Sequence, residues 1–475
     1  MRRIAYASPV NPAPSGIADY SEELLPYLGR YADLTVYIDD DLRPSNPQLA
    51  RQLDVRPLRR LARDQRRRPY DAIVYHIGNS SAHAQIWRTL RSLPGVVVLH
   101  DLVLHHFMLQ WYAAGPGGVQ RYRSVAAERY GAEGARVADL MMRGRFVEQA
   151  FDFPFCEDVL DAASGIIAHS QYVVDCVRTM RPALPAALVP MGVPLPPQRD
   201  RIVARAQLGL PADALILASF GHINPYKRVD AVLRALAVLR AEGRDARYLL
   251  VGSVSPAYDL RGAVARVGLS DAVVATGYVA PAAFAAYVAA ADICLNLRHP
   301  TAGETSASLL RLLGAGKPTL VSASGAFAEL PAGVAAQVDF AGEDELILAY
   351  CRRLADDPAL AGALGAAARS FVAAQHTLDA AARGYMAFLA QVYGWSEGLP
   401  DAHPAEDGMG MDRVDPVGAK HSGGNASPLQ PSPHPIPSIP PGDPLRDALA
   451  AAIVDLGATE NDVALLAAAA RARIG

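Results

Sequence analysis

The stretch from Arg298 to Pro318 carries the side chains with the clearest chemical potential in this sequence. It follows a strand-like apolar run and leads into a helical pattern, so its polar residues stand at a helix start. These residues are one carboxylate, Glu304, and the hydroxyls of Thr305, Ser306 and Ser308. Because backbone N–H groups at a helix N-terminus are unpaired, the stretch predicts a site for an anion such as phosphate. The alternative is that Thr305 or Ser306 only caps the helix, with Glu304 favouring the positive end of its dipole.

Polar residues also follow several other apolar runs. Such positions are occupied by Gly16, His76, Asn79, His100 and Asp101. In parallel sheets ligands bind beyond the carboxyl ends of the strands, so these residues are further site candidates. Lysine occurs only at Lys227, Lys317 and Lys420, in a chain whose positive charge is otherwise arginine. This rarity singles out Lys227, which stands in a polar loop after an apolar run.

A metal site is one alternative for part of this set. Asp101, His105 and His106 have ligand-type side chains close together in sequence. No further Cys/His cluster is present to complete a coordination shell, so the sequence disfavours a metal there. Other histidines are interpreted as buried or strand-end residues with hydrogen-bond partners. These are His76, His83 and His169.

The chain alternates strand-like runs with helical patterns twice, and these elements must position the candidates. The first series runs from Arg3–Ser8 to Ile166–Ser170, and the second from Leu215–Phe220 to Ala335–Val338. Such alternation indicates an α/β protein with two doubly wound, Rossmann-like domains, each a parallel sheet covered by helices. The predicted organisation is 1–195 as an N-terminal domain with a helical insertion at about 117–151, 196–376 as a C-terminal domain, 377–395 as a closing helix, 396–442 as a disordered linker and 443–475 as a short helical tail.

Length, charge and cysteine usage limit the class of protein. At 475 residues the chain is longer than a single domain core supports, so more than one domain is expected. Its net charge of -3 gives no sign of a nucleic-acid partner. The four cysteines are scattered without metal-type spacing, which is typical of a reduced, cytoplasmic protein. No apolar run has the length of a signal peptide or of a membrane span. We therefore expect a cytoplasmic protein.

Five ordered motifs resemble a known family. They read G-I-A-D-Y-S at 16–21, G-N-S at 78–80, L-H-D at 99–101, I-A-H-S at 167–170 and G-E-T-S at 303–306. With His222–Lys227, they resemble GT-B glycosyltransferases of the family-4 (group 1) type over roughly residues 1 to 395. The resemblance implies transfer of a sugar from a nucleotide-sugar donor, with retention at the anomeric carbon and without a cofactor or essential metal. It makes 1–195 the acceptor side and 196–376 the donor side.

The resemblance also assigns roles to individual residues. Lys227 matches a lysine that contacts the donor diphosphate, and Gly16 matches a first-loop glycine that lets the backbone approach the phosphates. Glu304 resembles a glutamate near the transferred sugar, and His100 matches a histidine at the reaction centre. The catalytic candidates are therefore His100, Glu304 and Lys227. The donor-binding candidates are Gly16, His222, Lys227, Tyr278, Glu304, Thr305, Ser306 and Ser308, and the acceptor-side candidates are Asn79 and Asp101.

Two positions depart from the family pattern. His222 stands where the family usually has arginine, so a charge there would depend on pH. Arg311 occupies the place of a second glutamate that usually holds the ribose, and Glu304 lies one residue closer than the pattern requires. Hydroxyls and backbone N–H groups of 305–308 are the alternative contacts. The segment Gly277–Val279 resembles the loop that touches the base through its backbone.

Two other functions remain open. A nucleotide-sugar epimerase shares the two-domain fold, but it needs acid/base carboxylates around the sugar, for which only Glu304 and Asp101 stand out. A non-catalytic sugar-nucleotide-binding subunit would explain the departures from the pattern. The joint presence of Lys227, Glu304 and His100 favours an enzyme. The resemblance implies a role in polysaccharide biosynthesis.

The acceptor is a glycan, a lipid or a small molecule, and the sequence does not separate these. Basic residues in the 117–151 insertion permit peripheral contact with the inner face of an anionic membrane. The two short helices predicted in 443–475 cannot bury enough area alone. They are either a docking element for a partner or second subunit, or a dispensable appendage.

Overall fold

The computed structural model describes residues 1–13, 15–113, 117–143, 148–256 and 258–396. The linker and helical tail predicted beyond Ser396 lie outside the described residues. Contacts group the chain into two units. Among the described residues, the first contains Met1–Pro194, Pro300–Ala307 and residues 375–396, and the second contains Leu195–His299 and Ser308–Ala374.

The first unit is built on a seven-stranded parallel sheet in the order β3-β2-β1-β4-β5-β6-β7. Its strands are β1 (Arg2–Ala7), β2 (Ala32–Ile38), β3 (Asp54–Pro57), β4 (Ala72–Ile77), β5 (Val96–Leu99), β6 (Gly165–Ala168) and β7 (Ala186–Leu188). The α-helices of this part are α1 (Gly16–Leu28), α2 (Pro47–Gln52), α3 (Leu61–Arg67), α4 (Ala84–Leu90), α5 (His105–Ala113), α6 (Gly118–Met142), α7 (Glu157–Ala162) and α8 (Gln171–Met180). Short 3-10 helices cover Leu58–Arg60, Ser81–His83 and Glu148–Asp152. Every residue of β4 and β5 is buried, as expected for central strands covered on both faces.

The second unit is built on a six-stranded parallel sheet in the order β10-β9-β8-β11-β12-β13. Its strands are β8 (Leu215–Phe220), β9 (Ala246–Val251), β10 (Val273–Gly277), β11 (Ile293–Asn296), β12 (Thr319–Ser322) and β13 (Ala336–Val338). Its α-helices are α9 (Arg201–Leu208), α10 (Val229–Ala241), α11 (Leu260–Val267), α12 (Pro281–Ala290), α13 (Ala307–Gly314), α14 (Glu343–Asp356) and α15 (Pro358–Gln375). Short 3-10 helices cover Pro225–Lys227, Gly325–Glu329 and Phe340–Gly342. The predicted inner face of α10 is buried, as are the leucines of α13.

A last helix, α16 (Leu378–Tyr393), belongs to the first unit. Its buried face contains Tyr385, Phe388 and Leu389. Gly165 at the start of β6 lies beneath it, and a Cβ atom there would come within 3.1 Å of Phe388. The helix is therefore part of the core of this unit.

The predicted fold class is confirmed, because both sheets are parallel and alternate with helices. The edge strands β3 and β7 were not predicted, since their residues are partly exposed and lack the apolar run of a central strand. Within the described ranges, no helix combines the length and apolar character needed to span a membrane.

Candidate active site

The ends of two neighbouring strands bring the acceptor-side candidates together. Asn79 follows β4 and Asp101 follows β5, and these strands pair directly. The carboxylate of Asp101 accepts a hydrogen bond from the backbone N–H of Asn79, with Oδ2 and N 2.8 Å apart. The side-chain oxygen of Asn79 accepts one from the backbone N–H of Phe107 at 2.9 Å. Both side chains therefore order the loops at this edge of the sheet, and their contact with an acceptor remains a prediction.

His100 lies at the same edge and is almost completely buried. Its Nε2 atom is 2.9 Å from Nδ1 of His76, and its ring packs against Tyr20 and His169. Burial, followed by the neighbouring histidines, holds the pKa of His100 well below its usual range. The side chain is therefore neutral near pH 7 and interacts through hydrogen bonds and not through charge.

The other strand-end histidines have only half of their hydrogen-bonding capacity satisfied. His83 and His169 donate from Nδ1 to the backbone carbonyls of His76 and Val189, at 2.9 and 2.8 Å. The Nε2 atoms of His76, His83 and His169 are buried and have no hydrogen-bond partner among the described residues. The interpretation of these histidines as buried, partnered residues is therefore correct for one nitrogen of each ring.

His105, one of the three residues considered as metal ligands, uses both ring nitrogens in hydrogen bonds within the protein. His105 donates from Nδ1 to the carbonyl of Phe153 at 2.9 Å, and its Nε2 atom is hydrogen-bonded to the hydroxyl of Tyr122. Both ring nitrogens are thus occupied, and burial lowers the pKa of His105 to about 4. In the part of the chain that the structure describes, no three ligand-type side chains are grouped as a metal site requires.

Two glycines of the first unit have opposite surroundings. Gly16 begins α1, whose N-cap Ser15 accepts a hydrogen bond from the backbone N–H of Ile17 at 3.2 Å. A Cβ atom on Gly16 would meet nothing within 4 Å, so the space beside it is open, as its predicted role requires. At Gly78 a Cβ atom would lie 2.5 Å from Ile17 and 3.0 Å from Asp101. Gly78 is thus needed for packing, although the sequence motif gave it no role of its own.

Glu304 lies in the Pro300–Ala307 loop, which groups with the first unit. The loop is joined to the segment after His100 by a hydrogen bond from the backbone N–H of Val103 to the carbonyl of Ala302, at 2.9 Å. Thr301 donates from its hydroxyl to Glu304 at 2.8 Å and accepts from the backbone N–H of Gly303 at 3.1 Å. The structure therefore holds the Glu304 carboxylate in a defined loop beside the strand end that carries His100.

Lys227 is buried in the second unit, in the loop after β8. Its ammonium group donates a hydrogen bond to the carbonyl of Phe220, the last residue of that strand. A Cβ atom on Gly221 would lie 3.3 Å from Nζ of Lys227 and 4.0 Å from the hydroxyl of Ser308 in the first turn of α13. Gly221 has a φ of 86°, so only glycine adopts this conformation readily. The ammonium group of Lys227 and the first turn of α13 therefore both lie close to Gly221, which has no side chain.

The residue after Lys227 fixes this loop. Arg228 has a left-handed backbone, is 2% exposed, and binds Glu343 at the start of α14 through two hydrogen bonds of 3.0 and 2.8 Å. Such a bidentate pair is directional and holds the end of the 3-10 helix in place. Sequence reasoning missed both residues. The only signal was the acidic run at 343–345, which is also the usual composition of a helix start.

The remaining donor-side candidates are exposed or partly buried, except for Ser306. His222 is exposed and its Nδ1 atom is 2.9 Å from the hydroxyl of Ser253, at the end of β9. Tyr278 follows β10 and is 82% exposed. Ser306 is buried, whereas Thr305 and Arg311 are partly buried. The roles given to these residues remain predictions.

Comparison with known proteins finds matches over part of the chain. Residues 214–357 match the family described as Glycosyl transferases group 1. A D-inositol 3-phosphate glycosyltransferase of Streptomyces avermitilis is 34% identical over 186 residues, which are 36% of this chain and 39% of that relative. The chain thus aligns with about two fifths of its relative.

Two solved structures share the fold. Sucrose-phosphate synthase from Thermosynechococcus elongatus has a TM-score of 0.58 and 20% identity, covering 83% of this chain and 100% of that one. Anabaena HepE in complex with UDP-glucose has a TM-score of 0.58 and 17% identity, covering 82% and 100%. The fold is therefore that of GT-B proteins. Within that fold, residues 214–357 of this chain form a domain that matches the group 1 glycosyltransferases.

Proposed function

We propose that this protein is a retaining, hexosyltransferase-type glycosyltransferase of polysaccharide biosynthesis that acts in the cytoplasm. It takes a sugar from a nucleotide-sugar donor and passes it to a glycan, lipid or small-molecule acceptor. The observation that carries the proposal is that Lys227 and Ser308 both lie close to Gly221, just after the carboxyl end of β8. A cation and a helix start around an open position suit a diphosphate.

The proposed chemistry depends on stabilising the departing nucleoside diphosphate. Lys227 is the cation for this charge, His222 is a second donor, and no metal ion is required in this scheme. Glu304 binds the sugar, and His100 lines the reaction centre as a neutral hydrogen-bonding group. In a front-face reaction the departing phosphate oxygen takes the acceptor's proton, so no separate protein base is needed.

The first test is a thermal-shift screen against UDP, GDP, ADP and their common sugar conjugates. UDP-glucose is tried first because HepE was solved in complex with it. We expect one nucleotide to raise the melting temperature, and Lys227→Ala to abolish the increase. Lys317→Ala is the matched control, because Lys317 also donates to backbone carbonyls, those of Ala289 and Ala291 at 2.7 and 2.8 Å. It should lower the melting temperature and keep the nucleotide response.

A second test separates an enzyme from a binding subunit. Slow hydrolysis of the stabilising donor, measured as release of free sugar, is expected from the unaltered protein and not from Glu304→Gln. The Gln variant keeps the size of the side chain and its hydrogen bond from Thr301, while the charge is removed. Nucleotide binding without hydrolysis or transfer would favour the non-catalytic subunit, and the absence of any nucleotide response would remove the proposal.

A further inference from the structure

The contact between His76 and His100 is a hydrogen bond between two buried imidazoles. Nδ1 of His76 and Nε2 of His100 are 2.9 Å apart, and the two residues are 0% and 6% exposed. His76 lies in β4, and the backbone N–H of His100 donates to the carbonyl of Ile77 at 2.9 Å. The geometry of this pair is therefore set by two adjacent strands of the sheet.

The hydrogen bond between His76 and His100 contains one proton, and the groups around the two rings determine which ring donates it. Nε2 of His76 is buried and has no hydrogen-bond partner among the described residues. The phenols that pack around the pair bond elsewhere: Tyr6 donates to Ser21, and Tyr20 bonds to Tyr385. If His100 were the donor, the proton of neutral His76 would have to sit on this partnerless Nε2 atom. A buried N–H without an acceptor is rarer and more costly than an unused lone pair.

His76 is therefore the donor, and Nε2 of His100 is the acceptor. Neutral His100 must then carry its proton on Nδ1, which is not among the fully buried side-chain atoms without a partner, in a ring that is 6% exposed where His76 is 0% exposed. The other buried histidines do not compete for this role. His169 packs beside His100 but donates from Nδ1 to the carbonyl of Val189, and His83 donates to the carbonyl of His76.

We propose that His76 is a positioning residue that fixes His100 as its Nδ1–H tautomer, so that His100 donates a hydrogen bond to the bound substrate from Nδ1. This assignment of a role in turnover rests on the proposed glycosyltransferase function. The tautomer itself does not, because it follows from contacts within the protein. His100 is then a fixed donor toward a sugar or phosphate oxygen and not a proton acceptor.

The direct test is nitrogen-15 NMR of the full chain labelled on histidine. We expect the His100 signals, assigned through His100→Asn, to show a protonated Nδ1 and an unprotonated Nε2. In His76→Phe, which keeps an aromatic ring but has no donor, His100 should shift toward a mixture of tautomers. A protonated Nε2 on His100 in the unaltered protein would overturn the inference, whatever the activity is.

The kinetic test uses hydrolysis of the stabilising donor conjugate. His76→Phe should lower kcat about tenfold or more with a smaller change in KM, since misplacement of a reacting group acts on turnover. His76→Asn should restore most of kcat, because its side-chain amide places an N–H near the Nδ1 position. Equal kcat values for the unaltered protein and both variants would overturn the positioning role.

A matched control excludes a general effect of losing a buried histidine. His376 is buried and donates from Nδ1 to the backbone carbonyl of Met191 at 2.9 Å. His376→Phe should reduce stability and leave kcat and the His100 tautomer unchanged. If the unaltered protein hydrolyses none of the UDP, GDP or ADP conjugates, the proposed function fails and the NMR result alone decides the inference.

Discussion

Buried polar side chains in this protein differ in how completely they are paired, and the difference separates supporting roles from candidate site roles. Arg205 and Arg228 are buried with several oxygen partners each, so they tie elements together. Asp230 and His76 each retain a buried atom without a hydrogen-bond partner among the described residues. Such atoms raise the free energy of the folded state, and their effects are measurable.

Asp230 is expected to make the protein less stable as pH rises. Burial raises the pKa of its carboxyl to about 7, while Tyr258 donates to one oxygen at 3.2 Å. The raised pKa means that the folded protein holds a proton that the unfolded chain releases near pH 4. The contribution of Asp230 to the free energy of unfolding is therefore largest below about pH 4 and decreases as the pH rises to about 7.

Asp230→Asn removes this dependence, because the amide cannot ionise and its oxygen can still accept from Tyr258. At pH 8 the variant should melt at a higher temperature than the unaltered protein. Its free energy of unfolding should be larger by an amount on the order of 1–2 kcal/mol. The difference should shrink toward pH 5, as followed by thermal melts across this range. A constant difference at all pH values would contradict the assignment.

Arg205 and Arg201 offer a matched pair for testing burial. Both bind Asp292, with 1% of the Arg205 side chain and 51% of the Arg201 side chain exposed. Arg205 also donates to the carbonyls of Ala290 and Ala214, each at 3.0 Å. Arg205→Met should cost about 3 kcal/mol or more, and Arg201→Met less than about 1 kcal/mol. Equal shifts in thermal melting midpoint would show that burial does not control the contribution.

At the scale of elements, the sequence predicted what apolar periodicity can encode. The central strands, α10 and α16 follow from buried runs and helical spacing, and polar strand ends located His100 and Asp101. Contacts distant in sequence were not predictable, because no local pattern encodes them. Arg228 with Glu343 and His76 with His100 are such pairs. The edge strands β3 and β7 were missed for lack of an apolar run.

The loop that carries Glu304 depends on a glycine next to it. Gly303 has a φ of 77°, and a Cβ atom there would lie 2.8 Å from Cβ of Leu102. Gly303→Ala therefore forces the loop to move and displaces Glu304. We expect donor hydrolysis to decrease about tenfold or more, while the stabilisation by nucleotide, assigned to Lys227, is retained.

Gly333→Ala is the control for backbone strain alone. Gly333 has a similar φ of 79°, but a Cβ atom there would meet nothing within 4 Å. This variant should lose about 1 kcal/mol of stability and keep its hydrolysis rate. Unchanged hydrolysis in Gly303→Ala, or an equal loss in both variants, would show that the loop position does not matter for turnover.

At the scale of the whole molecule, each unit has its own parallel sheet and its own candidate residues. His100, Asp101 and Glu304 belong to the first unit, whereas Lys227 and Ser308 belong to the second. Nucleotide binding and turnover are therefore predicted to respond to different variants. Lys227→Ala should remove the thermal shift, whereas Gly303→Ala should decrease hydrolysis and keep the shift.

The end of helix α16 gives a prediction about the whole chain. The described helix α16 ends at Tyr393, and Gly394 follows it with a left-handed backbone. Trp395 stacks on Tyr393, and the backbone N–H of Trp395 donates to the carbonyl of Ala390 at 2.9 Å. A chain ending at Ser396 retains these contacts and every candidate site residue. It should therefore keep its melting temperature and its nucleotide response.

The matched control is a chain ending at Thr377, which lacks α16. Because Tyr385, Phe388 and Leu389 fill the core of the first unit, this chain should lose many degrees of melting temperature or fail to fold. Light scattering of the chain ending at Ser396 then separates the two roles left open for 397–475. A smaller oligomer than that of the full chain would identify the tail as a subunit contact. An unchanged mass would remove that role, and a lost nucleotide response would contradict the prediction that the donor site lies within residues 1–396.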